Sequence, residues 1–166
     1  MLTSPWVEDV ARRLDRVGGG RHAAYRVGES VREDPRTRTT FRRVAALLVV
    51  VFVIGSGAVG EAILQTVEGA PVSGIVWWRL IVIFLIAGTL FYFLWRASLG
   101  YWWAFSRLRL FSVVFPVIAV TTCLIPGLYP AWMIAEQIAF SAVLLVIFRL
   151  LSRPDLRTGY RRPPRV

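Results

Sequence analysis

Lysine is absent from this chain of 166 residues, and cysteine and histidine occur once each. All twenty positive charges are therefore arginine, a bias expected of GC-rich coding and so of a high-GC bacterium. The lone Cys123 excludes an intrachain disulfide. The lone His22 excludes bis-histidine haem ligation and histidine-built metal cages. No Ser/His/Asp constellation, phosphate loop or catalytic carboxylate pair is recognisable. The opening stretch MLTSPWVEDVARRLDRVGGG carries charges where a signal peptide needs an apolar core, so no cleavable signal is expected. These shortages argue against an enzyme and against a bound cofactor or metal.

Apolar sequence is abundant. Hydrophobic residues make up 56% of the chain, and mean hydropathy is +0.58. Four runs stand out, at 44–64, 75–95, 110–128 and 131–151, each 19 to 21 residues long. A helix of that length spans about 30 Å, the thickness of a bilayer's hydrocarbon core. The expected fold is an all-α integral membrane protein with four transmembrane helices in two antiparallel hairpins. Nineteen of the twenty arginines precede the first run, separate the second from the third, or lie at or beyond the end of the fourth. The twentieth, Arg79, lies inside the second run. Cytoplasmic loops carry the arginine excess, so residues before and after the spans are expected in the cytoplasm of a bacterial inner membrane. The net charge of +10 is explained by this topology. Anionic lipids, not nucleic acid, are the expected partners of the basic segments.

Residues 1–43 form a cytoplasmic segment. Within it, residues 5–17 read as a short amphipathic helix, with Ser4 as N-cap and Pro5 in the first turn. Trp6, Val10, Leu14 and Val17 recur at helical spacing. So short a helix needs a surface to dock on, and this stripe is expected to meet a protein partner. Residues 18–40 look loop-like, with room for a second short helix near 25–31. Residues 152–166 read as an extended, mobile basic tail. Trp77, Trp78, Tyr129 and Trp132 fall at the predicted outer interface; Trp95, Tyr101, Trp102 and Trp103 fall at the inner one. The stretch 96–109 reads as an interfacial segment. Pro116 is expected to kink the third span. The turn IPGLYP makes the third and fourth spans adjacent and antiparallel.

Gly55-x-Gly57-x-x-Gly60 imitates a dinucleotide-binding fingerprint. Its context rejects that reading. The preceding apolar run is too long for a strand, and Arg79 stands near where an acidic ribose ligand would be needed. Ser56 and Gly60 read instead as a small-xxx-small pair that lets a neighbouring helix approach.

Four polar residues interrupt the spans at one predicted level: Glu61, Arg79, Glu136 and Gln137. An arginine at that depth is costly unless paired. Glu61 and Arg79 each lie nine residues from Ala70, so they are the expected pair. Either the cluster fixes helix pairing, or it serves transport of protons or cations. The leading expectation is a non-catalytic accessory or assembly subunit of a larger membrane protein complex. The alternative is a small homo-oligomeric transporter or channel using Glu61, Arg79 and Glu136. A remote third is a lipid-modifying membrane enzyme.

Overall fold

The computed structural model describes Gly19 and residues 23–69 and 72–161. The expected helix 5–17 and its stripe of Trp6, Val10, Leu14 and Val17 lie outside the described residues, as does His22. The element order is α1 (Glu29–Glu33), α2 (Pro35–Val67), α3 (Gly74–Ser98), α4 (Trp102–Cys123), α5 (Ala131–Leu151) and α6 (Pro154–Gly159). Helices α2 to α5 are long and apolar enough to cross a bilayer. The chain is a multi-pass, all-α membrane protein.

The four long helices form a ring, α2 against α3, α3 against α4, α4 against α5, and α5 back against α2. Each turns an apolar stripe inward at three- and four-residue spacing. On α2 it runs Phe41, Val44, Leu48, Val51; on α3 Ile83, Ala87, Leu90, Leu94; on α5 Phe140, Leu144, Ile147, Leu151. On α4 the buried stripe is Trp103, Ala104, Phe105, Leu108, Ser112 and Pro116, and none of residues 117–123 is buried. Pro116 sits inside α4 and removes one backbone hydrogen bond there. The outward faces are apolar as well, with Val53, Leu64, Trp78 and Leu85 all more than half exposed. That pattern suits helices whose solvent is lipid.

Two of the expected spans shift their bounds. Helix α2 begins at Pro35, not at Val44. Asp34 caps it, its Oδ1 accepting from Arg36 N at 2.8 Å, and proline suits the first turn. With 33 residues α2 is about 50 Å long, so its arginine-bearing first turns project beyond an apolar layer. Hydropathy finds the apolar part of a helix and misses a polar extension. Likewise α4 begins at Trp102 and ends at Cys123, against an expected 110–128. The stretch 96–109 is thus not a separate interfacial segment. It is the end of α3, a sharp turn at Gly100 (φ +90°) and the start of α4.

At the arginine-rich end, the flanking segments fold over the bundle. Val27 N donates to Gly100 O at 2.9 Å, and Arg26 donates to the Tyr101 hydroxyl. Tyr101 lies between two guanidinium groups, Arg26 at 4.5 Å and Arg96 at 4.1 Å from its ring centre. Burial works to raise the Tyr101 pKa, but hydrogen bonds and positive charge from Arg26 and Arg96 outweigh it, and the net shift is downward. Within the loop expected over 18–40, residues 23–40 therefore contain α1 and the first turns of α2, and Arg26 and Val27 tie them to the bundle.

Residues 152–161, after α5, are not extended either. After α6 the Tyr160 ring stacks on Phe105 at 4.4 Å and meets Phe41 edge-on at 6.0 Å. Its hydroxyl donates to Ala97 O at 2.8 Å. Helix α6 lies so close to Val31 that a methyl group on Gly159 would sit 2.5 Å from Cγ1. Composition alone suggested a mobile basic tail because two apolar side chains, Leu156 and Tyr160, make the docking. Tyr101 and Trp103 are likewise core residues and not belt residues, 7% and 2% exposed, whereas Trp95 remains on the surface.

Candidate functional site: an intramembrane polar clasp

Three of the four polar residues, Arg79, Glu136 and Gln137, come together near the end of the bundle opposite the other arginines. Arg79 stands on the second turn of α3, and Glu136 and Gln137 on the second turn of α5. Helices α3 and α5 face one another across the ring, and the Arg79 side chain bridges the space between them. Its Nη1 donates to Glu136 Oε2 at 2.9 Å. Both side chains are largely buried, 14% and 7% exposed.

Gln137, 1% exposed, completes the arrangement. With its amide oxygen toward α3, it accepts from Arg79 Nη2 and Nε at 3.2 Å each. Its nitrogen then donates to Ala119 O at 2.7 Å and to Thr122 Oγ1 at 3.3 Å on α4. The opposite orientation would set donors against donors. Cys123 Sγ lies 3.2 Å from the same amide, so the cysteine packs beside the clasp. The Tyr129 ring, in the α4–α5 turn, covers the guanidinium at 5.3 Å. One arginine thus links α3, α4, α5 and the turn between the last two.

The expected pairing of Glu61 with Arg79 is not the one formed. Glu61 accepts from Gln65 Nε2 at 2.9 Å on its own helix, and among the described residues its carboxylate makes no ion pair. Depth along the spans is similar, but azimuth differs. Helix α3 presents Val76, Leu80 and Ile83 to α2. Arg79 lies about 100° round the helix from Leu80, toward α4 and α5. Glu136, expected at the same level without a partner, is the residue within reach.

The expected packing role of Ser56 and Gly60 also shifts. Both are on the exposed face of α2, and a methyl group on Gly57 or Gly60 would meet no atom within 4 Å. The small residues that admit α3 are Gly55, Ala58 and Ala62. A methyl group on Gly55 would lie 3.2 Å from Ile83 Cγ2. Both sets have helical spacing, and sequence cannot say which side faces the bundle.

Beside the clasp, a cleft of about 320 Å³ is lined by Arg79, Thr122, Tyr129 and Gln137 on its polar side. Ile86, Phe115 and Ile118 are among its apolar walls. The cleft occurs where α4, past Pro116, no longer buries its side chains. Glu136 Oε1 is buried with no hydrogen-bond partner among the described residues. No group of three or more metal-ligating side chains occurs among the described residues.

No protein-family model matches the chain, and comparison with curated proteins and with solved structures finds no match.

Proposed function

We propose that this chain is a non-catalytic accessory or assembly subunit of a larger bacterial membrane complex. The observation that carries the reading is the uncovered small-residue face of α2. Ser56, Gly57 and Gly60 are exposed between Phe52, Val53, Ile63 and Leu64. Lipid tails gain nothing from glycine on a helix surface, whereas a second helix can approach the backbone there. The clasp supports the same reading, because Arg79 is spent on Glu136 and Gln137 and ties this chain's own helices together.

Gly60→Leu should leave the chain inserted and its thermal stability within about 0.5 kcal/mol of the parent, since the new side chain meets open space. Gly55→Leu should destabilise it by about 1–3 kcal/mol, by overpacking against Ile83. Purification in mild detergent from the native host should yield a stoichiometric hetero-complex with the parent chain and lose the partner with Gly60→Leu. A pure homo-oligomer would favour the second reading, a transporter or channel. That reading draws support from the buried Glu136 Oε1, which has no hydrogen-bond partner among the described residues.

The proposed placement is the cytoplasmic membrane, with the arginine-rich end inside. Cysteine substituted at Ser73 should react with an impermeant maleimide in intact cells, and cysteine at Thr39 or Thr158 should not. Labelling of Thr158→Cys from outside would reverse the orientation.

A further inference from the structure

A second groove lies at the arginine-rich end, on the flank of α4 where α5 and α6 meet it. Its volume is about 620 Å³, and Arg109, Arg157 and Arg161 line it together with Trp102, Leu110, Val113 and Phe148. No acidic residue lines it. Among the described residues none of the three arginines pairs with a carboxylate. Arg109 is held in place all the same, its Nε donating to Ser152 Oγ at 3.1 Å and its guanidinium 5.6 Å from the Phe148 ring centre. Arg157 and Arg161 are exposed and come to the groove because α6 and Tyr160 are docked.

The neighbouring groove, between α6 and the start of α2, differs. There Arg36, Arg43 and Arg153 share the lining with Asp34 and Asp155, so its charge is largely compensated. The α4 groove is distinguished by uncompensated positive charge at one end of an apolar strip. Along α4 the strip runs from Arg109 through Leu110 to Val113, away from the arginine-rich end and into the span. A soluble anion would match the arginines and leave the strip wet. A lipid without phosphate would match the strip and leave three guanidinium groups without an anion, and a zwitterionic one would bring a cation together with its phosphate.

We propose that this groove binds an anionic glycerophospholipid of the adjoining leaflet. Arg109, Arg157 and Arg161 hold its phosphate-bearing headgroup, and an acyl chain lies along Leu110, Val113 and Phe148. Guanidinium groups suit phosphate oxygens in geometry and charge, and basic pockets beside spanning helices are a recurrent form of lipid recognition. The site does not depend on what the chain assembles with, nor on which leaflet faces the cytoplasm.

The test uses the whole chain in phosphatidylcholine nanodiscs with and without phosphatidylglycerol, read by bound-lipid retention in native mass spectrometry and by thermal unfolding. Phosphatidylglycerol should be retained over phosphatidylcholine and should raise the unfolding temperature. Arg157→Gln with Arg161→Gln should lower retention about tenfold or more. The charge-matched control, Arg42→Gln with Arg43→Gln, should keep it within about twofold. Val113→Trp, which fills the apolar strip without changing charge, should also displace the lipid. Equal losses in the two double variants would show general surface charge in place of a site. Equal retention of phosphatidylcholine, or equal stabilisation by inorganic phosphate, would overturn the proposal as well.

Discussion

Replacing Arg79 by Gln should destabilise the bundle by about 3–5 kcal/mol, because it leaves the Glu136 carboxylate buried without its cation. Glu136→Gln should cost a similar amount by stranding the guanidinium. The double variant should be milder than the sum of the two, since neither charge then remains. Glu61→Gln should cost under about 1 kcal/mol, and its effect should add to that of Arg79→Gln, because among the described residues the Glu61 side chain bonds Gln65 and not Arg79. Thermal unfolding of the parent and the five variants, the Glu61→Gln/Arg79→Gln double included, in one detergent decides the matter. Strong coupling between Glu61 and Arg79, with none between Glu136 and Arg79, would refute the clasp.

Tyr160→Ala should cost about 3 kcal/mol or more, the usual loss for truncating a buried aromatic, and should release α6 from the arginine-rich end. The ring is 3% exposed, and its hydroxyl donates to the Ala97 carbonyl, which also accepts from Gly100 N. Tyr160→Phe keeps the stacking on Phe105 and loses only that bond, about 1 kcal/mol. Limited proteolysis after Arg157 should accelerate sharply in the alanine variant and only slightly in the phenylalanine one. Burial also raises the Tyr160 pKa, against a smaller opposing effect of the Arg32 charge. The folded phenol therefore keeps its proton where the unfolded one loses it. The contact's stability is full below about pH 10 and declines as pH rises above that. Unchanged proteolysis in Tyr160→Ala would show that α6 is held by other means.

The four spans were legible in the sequence because length and hydropathy suffice to define a membrane helix. The level of the polar residues was legible too, since counting from a turn gives depth. What escaped was rotation about each helix axis. Four apolar faces look alike when lipid and core are both apolar, so the pattern could not say that Gly55 faces Ile83 while Gly60 faces outward. The same ambiguity assigned Arg79 to Glu61. The ends of the helices escaped for another reason. Thr37, Thr40 and Phe41 are buried in polar first turns of α2, where hydropathy is low, and Tyr160 docks a segment whose composition is basic. Tyr160 did carry a signal, a tyrosine following Leu156 at helical spacing, but one pair of apolar residues is too little to distinguish from chance.

The way Val27 and Tyr160 both reach the α3–α4 turn also sets an order of events during synthesis. Val27 bonds Gly100, so residues that emerge early must wait until two spans have been made before they find their contact. Ala97 and Phe105 wait longer still, for Tyr160, which leaves the ribosome after the fourth span. Until then the flank of an aromatic core around Phe105 stays open to water. A nascent chain halted after α5 would hold all four spans yet offer that uncovered patch, where a chaperone or a protease can tell it from a finished molecule.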